Sequence, residues 1–287
     1  MRRSAVILGV AILLLALLAA VIWYAAWRED RQGLLTVSFL DIGQGDSIFI
    51  DSPSGGQVLI DGGPNGTVLR RLSDAMPWYD HSIDVVIPTH PDSDHISGLI
   101  DVLKRYDVSY VIQSSVKGNT GTWASLEQSI ADAKKKGTKV LTAQRGQVID
   151  LSKGAYIEIL APDRSLPNTD TNTACVVAHL IYGKTSFMLT CDAPQEIEKY
   201  LVSLDGASLK SDVLKAGHHG SRTSSARIFV GFVDPSYAVF SRGCDNKFGH
   251  PHVETVATFA AFGIPVEDTC KQGTVTFVSD GQTVRLR

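Results

Sequence analysis

Between His90 and His95 the chain sets two imidazoles and two carboxylates directly after an apolar, β-branched run, Ile83-Asp84-Val85-Val86-Ile87. Such a run reads as a buried strand. A loop at a strand's end aims closely spaced side chains at one point, and imidazole nitrogen with carboxylate oxygen is a donor mixture that zinc, manganese and iron accept. The fold must therefore end this strand at a cleft to which other loops come. Asp94 and His95 are adjacent in sequence, so they are ill suited to serve one ion with the same geometry as His90 and Asp92. Two ions sharing one cleft is the expectation. The competing reading is local: Asp92 or Ser93 caps an amphipathic helix over 96–106, and the histidines are satisfied loop residues.

The rest of the chain repeats the arrangement. Strands are expected at 34–40, 47–50, 58–60, 83–88, 108–113 and 139–142, with helices at 66–75, 96–106 and 123–136. In the second half the strands are 147–151, 155–160, 211–216 and 237–241, a hairpin over 173–181 and 185–190, and two closing strands at 274–278 and 283–286. Helices follow Pro194 and His252, and a polar, proline-bounded loop covers 162–168. Three further polar clusters, at Asp192, at His218 and His219, and at His250 and His252, each come just after an expected strand. In layered α/β folds ligands collect at strand ends, where loops converge. Gln44 and Asp46, in a glycine-flanked loop, either touch a ligand or fix the turn. Ser221, Thr223 and Ser224 are expected at a helix start, where they either bind an anion or cap the helix.

Composition supplies the setting. At 287 residues the chain can build a sizeable core without staples. An uncharged run over 4–27 meets the roughly 20 apolar residues that a bilayer span requires. Arg2 and Arg3 ahead of it favour an inside N-terminus and an exported C-terminal part. This divides the chain into an anchor at 1–30 and a globular domain at 31–287; the rival is a cleaved signal, for which Ala19-Ala20 and Ala25-Ala26 are imperfect sites. Folding the hairpin about Tyr182-Gly183-Lys184 brings Cys175 close to Cys191, leaving Cys244 for Cys270; the alternative is four buried thiols. A net charge of −3 offers no global attraction for nucleic acid.

The ordered set Phe39-Leu40-Asp41-Ile42-Gly43-Gln44-Gly45-Asp46, Leu59-Ile60-Asp61-Gly62-Gly63, Thr89-His90-Pro91-Asp92-Ser93-Asp94-His95, Leu189-Thr190-Cys191-Asp192, Leu214-Lys215-Ala216-Gly217-His218-His219-Gly220-Ser221 and Phe248-Gly249-His250-Pro251-His252 resembles the metallo-β-lactamase superfamily, and within it the C-terminal extracellular hydrolase domain of the ComEC competence proteins. The resemblance implies an α/β fold, a four-layer αββα sandwich preceded here by one N-terminal transmembrane helix, with two divalent ions, zinc or manganese, at one edge. His90 and Asp92 would hold one ion, Asp94 and His95 the other, and Asp192 would bridge them. His218 is the preferred further ligand and His219 the fallback. Asp94 and His250 are the expected catalytic groups; Gln44, Asn172, Ser221 and Thr223 are the expected substrate contacts.

The chain also departs from the superfamily. Asp92 stands where a second histidine is usual, Asn172 and Thr173 occupy a region that usually supplies another, and Cys191 replaces a common glycine. The implied activity is that of an exported phosphodiesterase or nuclease acting on DNA. The alternatives are an envelope phosphodiesterase, such as a teichoic-acid phosphorylcholine esterase, and an inactive extracellular binding module.

Overall fold

A computed structural model describes residues 2–29, 31–163 and 169–287; the polar loop expected over 162–168 falls largely outside them, as do the side chains of 1–4 and 25–30. The apolar run forms α1 (Arg2–Glu29), in which Ala5–Tyr24 is long and apolar enough to cross a membrane. After it come β1 (Leu35–Phe39), β2 (Ile48–Asp51), β3 (Gln57–Ile60), α2 (Thr67–Ala75), β4 (Ser82–Ile87), α3 (Ser93–Arg105), β5 (Asp107–Gln113), α4 (Gly121–Lys135) and β6 (Lys139–Thr142). The second half runs β7 (Val148–Asp150), β8 (Ala155–Ala161), β9 (Val177–Tyr182), β10 (Thr185–Leu189), α5 (Gln195–Asp205), β11 (Val213–Lys215), α6 (Arg227–Val233), β12 (Tyr237–Phe240), α7 (Val253–Ala261), β13 (Val266–Asp268) and α8 (Thr269–Gln272). Strands β14 (Val275–Ser279) and β15 (Val284–Leu286) then return to the first sheet.

The strands form two sheets, ordered β15-β14-β1-β2-β3-β4-β5-β6 and β13-β12-β11-β10-β9-β8-β7. Both faces of each sheet need cover, because strands such as β3 and β11 carry apolar side chains on successive residues and are buried throughout. Val37, Ile50, Phe187, Val213 and Phe277 fill the space between the sheets. Leu72 of α2, Leu99 of α3 and Ile130 of α4 cover the outer face of the first sheet, while Leu201 of α5, Phe229 of α6 and Phe259 of α7 cover that of the second. The expected αββα sandwich is what forms.

Strands β3 to β6 are mutually parallel, as are β10 to β13, so the loops leaving their C-terminal ends gather along one edge. Both disulfides, Cys175–Cys191 and Cys244–Cys270, are formed. The ladder pairs Ala178 with Leu189, which leaves Cys175 and Cys191 just beyond its end, on facing chain segments.

Three local expectations change. Helix α3 starts at Ser93, and Asp92 takes its N-cap position in an extended conformation without making a side-chain cap bond, so the carboxylate is not consumed by capping. Ser221, Thr223 and Ser224 lie in a turn, not at a helix start: α6 begins at Arg227, and the free N–H groups of Ser225 and Ala226 are taken by a buried glutamate, Glu198. Strand β9 begins at Val177, and Asn172 and Thr173 belong to the turn before it.

Candidate metal centre

The groups at the centre stand on loops and a first helical turn that follow strands. Asp61 follows β3, His90 follows β4, Asp94 and His95 occupy the first turn of α3, Asp192 follows β10, His218 and His219 follow β11, and His250 lies in the loop after β12. Glycines let the backbones crowd together: a Cβ at Gly45 would fall on the Asp94 carbonyl, and the Gly62 N–H donates to the His95 carbonyl at 2.7 Å. His218 and His219 both adopt left-handed backbone (φ 51° and 56°), which turns two adjacent rings inward.

The nitrogens are sorted by their partners. His95 Nδ1 lies 2.8 Å from Asp61 Oδ2, and Thr89 Oγ1 donates to the same oxygen at 2.7 Å. That leaves Thr89 Oγ1 to accept from His90 Nδ1 at 3.0 Å. His219 Nδ1 donates to the Ser241 carbonyl at 2.9 Å. Each Nδ1 thus carries the proton, and each Nε2 presents a lone pair; this is how protein imidazoles are oriented toward a metal. The Nε2 atoms of His90, His95 and His219 are all buried and unpaired.

These nitrogens converge on carboxylate oxygen. Asp192 Oδ2 lies 3.3 Å from His95 Nε2, 3.4 Å from His219 Nε2 and 3.5 Å from His218 Nε2. Asp94 Oδ2 is 3.4 Å from His219 Nε2, and Asp92 Oδ2 is 3.7 Å from His90 Nε2. Donors bound at about 2.1 Å around a tetrahedral ion are separated by roughly 3.4 Å. Spacing and orphaned lone pairs together fit a divalent cation. Asp46, His95, Asp192 and His219, all buried, each bring one donor atom within 4.8 Å of the others.

The electrostatics agree with that reading. Burial and the neighbouring His95 push the His90 pKa down to about 3, so its imidazole is neutral. Burial opposes charge on His95 and His219 as well, yet Asp192 outweighs it, helped by Asp61 at His95 and by Asp46 at His219, and both pKa values stand well above the ordinary one. Asp94, despite burial, is held down at about 2 by His219 and His95. Without metal the centre stores protons on the lone pairs that a cation would use.

The remaining expected residues surround this cluster. Thr223 Oγ1 is 3.2 Å from His218 Nδ1 and 3.0 Å from Ser221 Oγ, so the two hydroxyls orient the half-buried His218 ring. Gln44 Oε1 accepts from the Gly243 N–H at 3.2 Å, and its Nε2 is buried and unpaired. Asn172 also buries an unpaired Oδ1, beside Thr171, whose side chain bonds Asp92. The His250 ring lies 5.5 Å from that of His218; burial, with His219 next, lowers its pKa to about 4. His252 receives the Arg222 N–H, while His179 bonds Ser211 and His81 packs on Tyr106, all away from the donors.

Sequence reasoning gave no role to Asp61, Glu198 or Lys215. Asp61 ends a strand as the other site residues do, and the same rule would have found it. Lys215 is a charge inside an apolar strand, fully buried, and that contradiction in the pattern was the available signal. Glu198 sits on a helix whose neighbours give no such signal.

A family model for the metallo-beta-lactamase superfamily matches residues 40–243, and the chain belongs to that superfamily. It is a metal-dependent hydrolase related to competence proteins. ComE operon protein 3 of Bacillus subtilis is 28% identical over 263 residues, 84% of this chain and 32% of that protein. Competence protein ComA of Neisseria gonorrhoeae is 29% identical over 245 residues, again 84% and 32%, and recombination protein 2 of Haemophilus influenzae is 28% identical over 244 residues, 83% and 28%. The chain therefore spans about a third of the length of these curated relatives. In fold it is similar to Igni18, a metallo hydrolase of Ignicoccus hospitalis, with a TM-score of 0.51 at 16% identity over 85% of this chain and 98% of that one. CmlA, a diiron β-hydroxylase of Streptomyces venezuelae, gives 0.51 at 14% identity over 81% and 52%.

Proposed function

We propose that the chain is an exported, membrane-anchored phosphodiesterase that cleaves DNA, with 1–30 as anchor and 31–287 as catalytic domain. The observation that carries the chemistry is the convergence of the unpaired Nε2 atoms of His95 and His219 on Asp192 and Asp94, with that of His90 facing Asp92. Support for DNA comes from the competence and recombination proteins to which the chain is similar. Two disulfides and the apolar helix Ala5–Tyr24 favour a domain outside the cytoplasm. With a net charge of −3, attraction for a phosphate backbone has to be local; Arg222 and Lys247 are exposed on the two loops that carry His218 and His250.

His90, Asp92, Asp94, His95, Asp192 and either His218 or His219 would hold two divalent ions, zinc or manganese. When bound, such ions make hydroxide available near neutral pH and stabilise charge on phosphoryl oxygens. The chain's own residues do the rest. Asp61 and Ser241 hold the ring protons on Nδ1. Asp94 would take up the proton that water releases as hydroxide forms. His250, neutral at physiological pH, donates a hydrogen bond to the leaving oxygen. Gln44, Asn172, Ser221 and Thr223 supply polar contacts to the substrate.

The test is metal content by elemental analysis of the full chain in detergent, paired with cleavage of single- and double-stranded DNA and of bis-p-nitrophenyl phosphate. About two equivalents of metal, with DNA cleavage abolished by Asp192→Asn, is the expected result. Cleavage of the small ester without DNA would move the substrate to the cell envelope. Full metal loading with no turnover on either substrate would leave a binding module.

A further inference from the structure

The centre encloses a cation of the chain's own. Lys215 is the last residue of β11, after Val213 and Leu214, and its side chain is entirely buried. Nζ lies 2.5 Å from Asp46 Oδ2, 2.9 Å from the Cys191 carbonyl oxygen and 3.6 Å from Asp192 Oδ1. An ammonium has three N–H donors, and three oxygens surround this one. The Cys191 carbonyl also accepts the His218 N–H at 3.0 Å, so one carbonyl joins the ammonium to the histidine loop. No step of the proposed hydrolysis uses Lys215.

The charge balance around it shows what it does. Asp46, Asp61 and Asp192 are all nearly inaccessible to water. Buried carboxylates without a counter-charge oppose folding strongly. Asp61 is bonded by Thr89 and His95, whereas Asp46 has Lys215 at 2.5 Å as its nearest cation, with His219 Nδ1 at 3.3 Å and His95 Nδ1 at 3.9 Å. Lys215 is also the one lysine or arginine among the described residues paired with Asp192. It faces Asp192 Oδ1, whereas the three histidines approach Oδ2.

We infer that Lys215 is the resident counter-ion that lets the centre assemble before any metal arrives, and that it opposes the metal ions by acting on the same carboxylates. It is a positioning and charge-setting residue, not a group that touches substrate. The inference rests on the reading that this centre binds divalent metal. Linkage fixes the sign: whatever neutralises Asp192 in the metal-free chain weakens what metal gains there, and the coupling is reciprocal. For a chain that folds outside the cytoplasm and acquires metal afterwards, a preformed centre separates folding from metal supply.

The experiment is thermal unfolding of the full chain in detergent, with and without manganese or zinc, for the wild type, Lys215→Met and Lys215→Arg, together with a metal titration of each. Lys215→Met is expected to melt lower without metal, to recover much of the loss with metal, and to bind metal roughly fivefold more tightly or better. Lys215→Arg, which keeps the charge, should stay near the wild type. An equal fall with and without metal would make Lys215 a merely structural residue, and weaker metal binding by Lys215→Met would reverse the assigned role; either result overturns the inference. If Lys215→Met folds under neither condition, the Asp46→Asn/Lys215→Met pair is measured in the same way, and a metal-induced shift no larger than the wild type's overturns it. A wild-type chain that shows no metal shift at all would sink the metal-centre reading, a result distinct from an equal shift in wild type and variant.

Discussion

His95 Nδ1 lies 2.8 Å from Asp61 Oδ2, and that bond turns the opposite nitrogen of the ring toward Asp192, 3.3 Å away. Asp61 also receives the Thr89 N–H and hydroxyl, and through Thr89 it fixes His90. One carboxylate therefore orients two metal-facing rings. Asp61→Asn loses an acceptor on one oxygen, and metal affinity is expected to fall roughly 10- to 100-fold with the fold retained. A metal titration monitored alongside circular dichroism checks this; unchanged affinity would remove Asp61 from the centre.

Metal binding should grow stronger with rising pH. In the metal-free centre His95 and His219 hold protons well above the ordinary histidine range, because Asp192, with Asp61 and Asp46, outweighs the effect of burial. A cation must displace those protons, so loading releases protons and is opposed by acid. Calorimetric titration in two buffers of different ionisation enthalpy reads the release directly. Affinity that did not change between pH 6 and 8 would contradict it.

The Cys175–Cys191 bond ends one residue before Asp192 and closes a loop of 16 residues. Its removal by Cys175→Ser/Cys191→Ser is expected to cost about 3 kcal/mol of stability. It should also lower metal affinity, because the Cys191 backbone carries Asp192 and accepts from Lys215. Urea denaturation and metal titration of the double variant test both effects. The Cys244–Cys270 pair, removed in the same way, controls for general destabilisation.

Glu198 gives a stability signature of its own. Burial pushes its pKa up to about 7 from an ordinary value of 4.5, against the two backbone bonds from Ser225 and Ala226 that favour the charged form. A carboxylate raised on folding binds more protons folded than unfolded between those values. Stability therefore falls as pH rises from about 4.5 to 7, by on the order of 3 kcal/mol, and the cost is fully present above. Glu198→Gln removes this slope, so the variant should gain on the wild type between pH 5 and 8 in urea midpoints. Parallel curves would show that another group sets the dependence.

Gly45→Ala should disturb the centre without unfolding the sandwich. The new methyl would meet the Asp94 carbonyl, in a backbone conformation (φ 126°) that side-chain-bearing residues rarely adopt. Metal content should fall while the far-ultraviolet spectrum is preserved.

The layers were legible because the periodicities are plain: β-branched runs ended by polar clusters set the strand ends, and strand ends set the cleft. The hairpin placed Cys175 near Cys191 by counting alone. Side-chain partnership was harder to see. Adjacent His218 and His219 differ only in where left-handed backbone sends each ring, and the sequence carries no sign of that. The hydroxyls at Ser221 and Thr223 resembled a helix start because a cap signature says nothing about a remote acceptor, and Glu198 on α5 satisfies the true N-terminus of α6 from 27 residues away. Lys215 was visible as a lysine in an apolar strand, but its reason lies in carboxylates that arrive from β10 and from the loop after β1.

Strand β1 links the chain's two ends of interest. It begins six residues after α1 ends, and it runs straight into the loop that brings Asp46 to the cleft. Its five residues, roughly 17 Å long, therefore separate the end that α1 leads into from the end that opens on the cleft. The apolar helix Ala5–Tyr24 therefore joins the sandwich at the opposite end of β1 from the loop that carries Asp46.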